Sequence, residues 1–308
     1  MEKNNLKRQP LISVVMPVYN AGKFLKPAIN SILNQTHQRF ELIIVDDAST
    51  DNTPILIQQY KKTFPTKIKI VTIPTNLNGG GDKCANEGIK ISRGKYIARM
   101  DADDIAHKTR LEKQVAFLET NPNVFLVGSN AHVINAKGKI IGEKLEPSTP
   151  SDIYHAYFTF HPLIHPTCMF RSVTNGNKFA YRLAYSANND YLTFFTLICR
   201  GAIFVNLPEK LLYYRIHDKN DTFVHMKKKF MNTLKIRFEM FSKYGYRPSA
   251  KSLALNLVQA SLCLLLPEQI LFNMYLVSRG IINKKIFIPN IKTLFTPASF
   301  KLLRKVAI

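Results

Sequence analysis

The chain contains few cysteines, and no two of them lie close together in the sequence. There are four among its 308 residues, Cys84, Cys168, Cys199 and Cys263, and none forms a Cys-x-x-Cys pair. Structural zinc sites usually use such pairs, and small secreted domains use a dense set of disulfides. The sequence therefore predicts neither a zinc site nor a disulfide framework, and it favours a reducing, cytoplasmic location.

The sequence also lacks an apolar run long enough to cross a bilayer. The apolar segment Leu253–Leu266 stops at Pro267, whereas a membrane-spanning helix needs about 20 residues. The early run Leu11–Tyr19 contains Pro17 and precedes no small-residue cleavage site, so we interpret it as a core strand rather than a signal peptide. There is no Walker A loop, and no Gly-x-Gly-x-x-Gly follows the first strand.

Acidic residues are scarce in the last third of the chain. The formal net charge is +22, and residues 219–308 hold 16 Lys and Arg against 3 Asp and Glu. Such a charge imbalance indicates an anionic partner, either nucleic acid or the anionic face of a membrane. After Lys227, apolar residues recur along one helical face, which predicts a basic amphipathic helix. The alternative is a helical cap on the preceding domain, solvated by its lysines.

Strand-like and helix-like segments alternate over the first hundred residues. The predicted strands are nearly continuous apolar runs, as expected of strands covered on both faces: Leu11–Met16, Glu41–Val45, Ile68–Ile73 and Tyr96–Met100. This alternation predicts an α/β fold with a Rossmann-like, mostly parallel sheet flanked by helices. Residues 143–165, which contain several prolines, are predicted to be a loop.

Acidic residues follow two of these strands. Asp46-Asp47 ends the second strand, and Asp101-Ala102-Asp103-Asp104 ends the fourth. Ligands bind at the carboxyl ends of strands in such sheets, and clustered carboxylates are ligands that hard divalent ions prefer. The pattern therefore predicts a Mn²⁺ or Mg²⁺ site that holds a phosphorylated ligand. The alternative is a solvated acidic turn before the helix that starts near Thr109.

A glycine-rich segment, Asn76–Lys83, lies between the two acidic clusters. Its three consecutive glycines allow the backbone to approach a ligand closely, and Lys83 is placed to meet a phosphate. A glycine-rich loop can equally be a simple turn.

Several motifs, taken in order, resemble those of the family 2 glycosyltransferases, and the similarity covers roughly residues 11–218. Asp101-Ala102-Asp103 is similar to the DXD motif of that family. The other matching segments follow at the family's spacing: Val14–Asn20, Ser31–Thr36 and Ile44–Asp51. The resemblance implies a GT-A fold over residues 1–218, with residues 219–308 as a basic α-helical extension.

The resemblance also implies roles for individual residues. Pro17, Tyr19 and Asp47 would hold the nucleotide base. Asp101 would bind the ribose or the metal, and Asp103 would bind the metal that bridges the donor diphosphate.

On the acceptor side, the resemblance places a general base in a pair of acids before a helix. The matching pair here is Asn189-Asp190, so the first acid is replaced, and Asp190 is predicted to be the base. The alternative is that Asp190 only caps the helix. His165 resembles an acceptor-side histidine and His217 a histidine near the diphosphate or metal, although either could make only a structural hydrogen bond.

Together these features predict an inverting glycosyltransferase that moves a sugar from a nucleotide-diphosphate donor, with UDP favoured by family habit. The expected acceptor is a lipid-linked or cell-surface glycan, and the expected location is the cytoplasmic face of the plasma membrane. Processive synthases of the family carry a Gln-x-x-Arg-Trp motif, and this chain has no tryptophan. A non-catalytic glycan- or nucleotide-sugar-binding protein is the alternative. A nucleic-acid-binding protein is disfavoured because no base-reading motif accompanies the charge.

Overall fold

The structure is a computed structural model that describes residues 9–77, 80–174, 176–217, 220 and 226–279. The strands are β1 (Ile12–Val18), β2 (Phe40–Asp47), β3 (Ile68–Ile73), β4 (Tyr96–Arg99), β5 (Ile105–Ala106), β6 (Val124–Ile134), β7 (Ile140–Lys144), β8 (Met169–Arg171), β9 (Val173–Thr174), β10 (Asn177–Lys178) and β11 (Ile203–Arg215). The α-helices are α1 (Gly22–Leu33), α2 (Thr53–Thr63), α3 (Gly80–Ile91), α4 (Arg110–Thr120), α5 (Pro150–Ala156), α6 (Asn189–Cys199), α7 (Met226–Tyr244), α8 (Ala250–Leu265) and α9 (Glu268–Ser278).

The main sheet has the strand order β3-β2-β1-β4-β8-β6-β11-β5, and β7 pairs with β6. The first four strands in this order are parallel, as the alternation of strands and helices predicts. Beyond β4 the sheet becomes mixed, because β8 runs antiparallel to both β4 and β6. The α/β fold prediction is confirmed, and a further parallel pair, β6 and β11, lies within the mixed half of the sheet.

The sheet is buried on both faces. On one face, α1 contributes Leu25, Ile29 and Ile32 to an aliphatic core that also contains apolar residues of β1 and β2. The core on the other face is rich in aromatic side chains: Phe125, Tyr157, Phe170, Phe179, Tyr181, Tyr191, Phe194, Phe195 and Phe204. Burial of a side chain of this size stabilises a fold by roughly 1.5–3 kcal/mol, so both layers fix the strands that carry the site.

The loop prediction for residues 143–165 is wrong in part. Helix α5 lies inside this segment, and β7 continues to Lys144. The hydroxyl of Thr149 accepts a hydrogen bond from the Asp152 N–H at 3.2 Å, and Pro150 occupies the first turn. Proline is tolerated there because the first N–H groups of a helix have no helical partner. Pro150 therefore starts a helix rather than a loop.

The helices after β11 pack beside the aromatic layer. Ile236 and Met240 of α7 are buried in the core that includes α6, and Leu276 of α9 reaches the aliphatic core. Among the described residues, no helix combines the length and hydropathy required to cross a membrane. The helical nature of residues 226–279 agrees with the sequence prediction. The predicted boundary between residues 218 and 219 lies outside the described residues.

Candidate active site

Three parallel strands end at one edge of the sheet and carry most of the predicted site. Val18 of β1 lies beside Asp46 of β2, and Arg99 of β4 lies beside Val15 of β1. The residues that follow these strands therefore share one edge, which is where ligands bind in sheets of this kind.

The turns after β1 and β2 are joined to each other. Asn20 has a left-handed backbone (φ 49°), and its Oδ1 accepts a hydrogen bond from the Thr50 N–H at 2.8 Å. A Cβ at Gly22 would lie 1.8 Å from Asn52 Oδ1, so this close approach requires glycine. Tyr19 is held beside this junction with 55 % of its surface exposed, which leaves the ring available to a ligand.

Asp47 and Lys83 both form hydrogen bonds to the backbone of Leu77, in the segment before α3. The Leu77 N–H donates to Asp47 Oδ1 at 2.9 Å, and Lys83 Nζ donates to the Leu77 carbonyl at 3.4 Å. A Cβ at Gly81 would lie 3.9 Å from Pro17 Cβ. The structure thus brings Pro17, Asp47 and Lys83, which are far apart in sequence, to one side of the strand edge.

Arg99 connects the glycine-rich segment to the acidic cluster. It is 4 % exposed, and its Nη2 lies 2.8 Å from Asp101 Oδ1. The same nitrogen would lie 2.6 Å from a Cβ at Gly81, so the absence of a side chain there makes room for the guanidinium. Burial alone would lower the pKa of Arg99, but the surrounding acidic groups, Asp101 foremost, raise it. Arg99 is therefore a permanent buried cation.

Asp101, Asp103 and Asp104 form the acidic cluster, with carboxylate oxygens within 4.8 Å of one another. Asp104 is buried, and its Oδ1 accepts a hydrogen bond from the Arg215 N–H at 2.7 Å. Its Oδ2 is buried without a hydrogen-bond partner among the described residues. Burial, and then the charges of Asp103 and Asp101, raise the pKa of Asp104 well above its ordinary value.

These features fit a divalent cation. An unpartnered buried oxygen and an all-carboxylate donor set match the preference of Mn²⁺ and Mg²⁺ for oxygen ligands. His217 is next to the cluster, with its Nε2 2.9 Å from Asp103 Oδ2 and its ring stacked on Phe24 at 4.8 Å. Asn220 Nδ2 also donates to Asp103 Oδ2, at 3.1 Å. Asp103 is thus held by two side chains from the segment after β11.

A second centre surrounds Asp190, at the start of α6. Asp190 Oδ2 lies 3.2 Å from His161 Nε2 and 3.6 Å from His165 Nδ1. On the other side of the ring, the Leu163 N–H donates to His161 Nδ1 at 3.4 Å. His165 Nε2 is 2.7 Å from the Tyr181 hydroxyl. Asn188, rather than Asp190, occupies the N-cap position, so the Asp190 carboxylate is not the helix cap.

The second centre also contains Asp82, whose Oδ2 accepts a hydrogen bond from the Asp190 N–H at 3.0 Å. Burial and the Asp190 charge raise the pKa of Asp82 well above its ordinary value. Burial also disfavours ionised Asp190, but the nearby His161 outweighs it, and the pKa of Asp190 is well below its usual range. Burial lowers the pKa of His165 to about 3. Of the two carboxyl groups, Asp190 is therefore the one whose ionised form is favoured.

The raised pKa of Asp82 gives a prediction for stability. Such a group contributes stability below its unfolded-state pKa, and this contribution is lost as the pH rises through the folded-state pKa. We expect Asp82→Asn, which is uncharged at every pH, to remove this loss. Its melting temperature relative to the wild type should be higher at pH 8 than at pH 4, as measured by calorimetry. Parallel melting curves of the two proteins would contradict the assignment.

Asn189, which we predict on the acceptor side, is hydrogen-bonded within its own segment. It is fully buried, and its Oδ1 accepts hydrogen bonds from the Ala184 and Tyr185 N–H groups at 3.0 Å each. Its Nδ2 donates back to the Tyr185 carbonyl at 2.9 Å. The amide holds the segment before α6 in place, a role for which a carboxylate lacks the donor. The acceptor-side role of Asn189 stays a prediction.

Sequence reasoning gave no role to Arg99, Asp82 or His161. Asp82 follows three glycines at the start of a helix, and Arg99 is a charged residue in an otherwise apolar strand. These two features are signals that could have identified them. His161 has only a weak signal, because its proximity to Asp190 depends on the turn between α5 and β8.

Comparisons with known proteins agree with this geometry. A family model described as glycosyl transferase family 2 matches residues 13–175. An uncharacterized glycosyltransferase of Haemophilus influenzae is 33% identical over 244 residues, which cover 76% of this chain and 74% of that protein. The putative glycosyltransferase EpsE of Bacillus subtilis is 35% identical over 219 residues, or 70% of this chain and 75% of that protein.

Solved structures share the fold at low sequence identity. S. aureus TarS 1-349 in complex with UDP-GlcNAc has a TM-score of 0.61 and 19% identity, and the match covers 80% of this chain and 70% of that chain. The mannosyltransferase PcManGT from Pyrobaculum calidifontis, in complex with GDP-Man and Mn²⁺, has a TM-score of 0.56 and 16% identity over 87% and 85% of the two chains.

The fold is that of a GT-A glycosyltransferase. The family model and the relatives show that the chain belongs to glycosyltransferase family 2, and the predicted enzyme class is confirmed.

Proposed function

We propose that the protein is an inverting glycosyltransferase that moves a sugar from a UDP-sugar to a hydroxyl group of a lipid-linked or cell-surface glycan. One observation carries the proposal: buried Arg99 pairs with Asp101 of an acidic cluster suited to a metal-bound diphosphate, and it also acts on Asp82, which accepts a hydrogen bond from the N–H of Asp190. The neighbours with bound UDP-GlcNAc and GDP-Man support a nucleotide-sugar donor. We assign this activity to residues 1–218.

On the donor side, Pro17, Tyr19 and Asp47 would bind the nucleotide base, and Lys83 would contact the phosphates. Asp101 and Asp103, with His217 beside them, would hold Mn²⁺ or Mg²⁺. When bound, the ion would neutralise charge on the departing nucleoside diphosphate. Asp103 is already oriented for this role by His217 and Asn220.

On the acceptor side, Asp190 would remove the proton from the attacking hydroxyl. The acceptor oxygen bonds to the anomeric carbon as the bond from that carbon to the diphosphate breaks, and the proton goes to the Asp190 carboxylate. A single displacement of this kind inverts the configuration. His161 and His165 would hold the carboxylate in place, and both would line the acceptor side.

The proposed glycan acceptor is supported by the name of one relative, and the proposed membrane partner is supported by the positive charge of residues 219–308. A relative is named a putative teichuronic acid biosynthesis glycosyltransferase TuaG of Bacillus subtilis, which supports a role in polysaccharide, capsule or lipopolysaccharide synthesis. The basic residues over 219–308 support attachment to an anionic membrane, where a lipid-linked acceptor is confined. The proposed location is therefore the cytoplasmic face of the plasma membrane.

The alternative of a non-catalytic sugar-binding protein loses its main support. That hypothesis came from Asn189, whose amide is used within its own loop. Asp190 remains ionised and partly accessible, with 18 % of its side chain exposed.

The donor site can be tested by titrating UDP into the protein by calorimetry, with Mn²⁺ or with a chelator. We expect binding that requires the metal and that weakens at least about tenfold in Asp103→Ala, because a metal ligand is lost. Glu209→Ala removes an exposed carboxylate that pairs with Lys113 on the surface and serves as the control. Absence of binding to UDP, GDP and dTDP with any divalent metal would overturn the proposal.

A further inference from the structure

Helix α8 has its polar and apolar sides reversed relative to a normal surface helix. Asn256 faces the protein and is 9 % exposed. The opposite face consists of large apolar side chains that are exposed to between 54% and 80%: Leu257, Val258, Leu264 and Leu265. Single exposed apolar residues are ordinary, but four on one helical face form a patch of the kind that marks a binding surface.

The polar side chains on the inward face of α8 oppose rotation of the helix about its axis. Asn256 Nδ2 donates to the Phe158 carbonyl at 2.6 Å. Arg237 of α7, which is buried, donates to Gln259 Oε1 at 3.0 Å and to the Thr159 carbonyl at 2.6 Å. Rotating α8 to bury its leucines would break the hydrogen bond from Asn256 to Phe158 and take Gln259 away from the buried guanidinium of Arg237, which opposes the rotation. The apolar face is therefore fixed in its outward direction.

The charge around this face indicates what covers it. The exposed cations of α7, α8 and the segment between them are Lys228, Lys235, Lys243, Arg247 and Lys251. Residues 280–308 carry six further Lys and Arg and no acid. This segment offers no complementary charge, and a second copy of the chain, with a net charge of +22, would be repelled overall. A surface that combines anionic groups with an apolar interior does, and an anionic lipid leaflet is such a surface.

We propose that the outward face of α8 inserts into the boundary between headgroups and acyl chains of an anionic leaflet. This inference extends the proposed function, since it names the surface that would bring the enzyme to a lipid-linked acceptor. Leu257, Leu264 and Leu265 enter the apolar layer. The surrounding lysines remain among the headgroups.

The experiment is sedimentation of the full chain with vesicles, either of phosphatidylcholine alone or of phosphatidylcholine with about 30 mol% phosphatidylglycerol. The buffer contains about 0.15 M salt, at which the Debye length is ~8 Å and charges farther apart are largely screened. We expect binding to the anionic vesicles and at least about tenfold weaker binding by a Leu257→Gln, Leu264→Gln, Leu265→Gln variant. These side chains are exposed, so the variant should fold normally. Ile55→Gln, which changes an exposed apolar residue on α2, is the matched control.

Each outcome bears on the proposal. Equal binding of the variant and the wild type would overturn it, and so would equal binding to neutral and anionic vesicles. A lower melting temperature of the variant with unchanged vesicle binding would show that the chain itself covers α8. UDP titration of the same variant separates this test from that of the proposed function, because donor binding should be unchanged.

Discussion

Replacing Asp190 with asparagine is expected to lower kcat by about 10²–10⁴-fold, the usual contribution of a general base. Asparagine has the same shape but cannot accept the hydroxyl proton. The backbone N–H of residue 190 still donates to Asp82 in this variant, so the loop geometry should remain. Donor affinity should stay within about twofold, because the donor side of the site lies across Arg99. Steady-state kinetics and UDP titration of the same preparation measure both quantities.

The low pKa of Asp190 sets the expected pH profile of the activity. Because the pKa of Asp190 is held well below its usual range, the base stays ionised throughout the neutral range. The activity of the wild type should therefore not fall on account of Asp190 between about pH 8 and pH 5. Asp152→Asn, which changes an exposed acid at the start of α5, is the control for general charge effects. An Asp190→Asn variant with wild-type kcat would contradict the mechanism.

Replacing Arg99 with methionine is expected to lower the free energy of unfolding by about 1–3 kcal/mol, because the hydrogen bonds of a buried guanidinium are lost while Asp101 keeps partial access to water. Asp101 would lose its partner at 2.8 Å, and Asp82 would lose the favourable charge of Arg99. Methionine has a similar length, so packing loss contributes little. Urea unfolding of the metal-free protein gives the value.

The control for this prediction is Arg200→Met, at the exposed end of α6. Surface substitutions of this kind usually change stability by less than about 0.5 kcal/mol. Metal-dependent UDP binding should also weaken in Arg99→Met, because Asp101 would no longer be oriented. A loss of stability no larger than that of Arg200→Met would show that Arg99 does not compensate the acids.

The sequence predicted the strand ends and their acids well, because both features are local. Apolar runs identify β1, β2 and β4, and the position of Asp47 and Asp101 after them is visible without a structure. The antiparallel pairing of β8 with β4 and β6 was not predictable in this way. It joins Ile97 to Phe170 and Phe170 to Leu126, and such pairing depends on the shape of the whole sheet.

The second centre shows the same limit. Asp190 was found by its resemblance to a family motif, but the neighbours that set its charge come from three distant segments. Asp82 is at the start of α3, His161 follows α5, and His165 precedes β8. Only the folded chain shows that Asp82 and Asp190 are in contact and that their pKa values shift in opposite directions. The orientation of α8 was also hidden, since apolar spacing alone predicts that leucines face inward.

The hydrogen bonds of Arg237 have a consequence for acceptor length. This side chain contacts Tyr191, which follows Asp190, and the carbonyl of Thr159, two residues before His161. It also binds Gln259 of α8. With α8 lying in a leaflet, these hydrogen bonds of Arg237 would keep a fixed distance between the lipid surface and the general base Asp190. The protein would then measure how far an acceptor hydroxyl projects from its lipid anchor, and glycans of another length would miss Asp190.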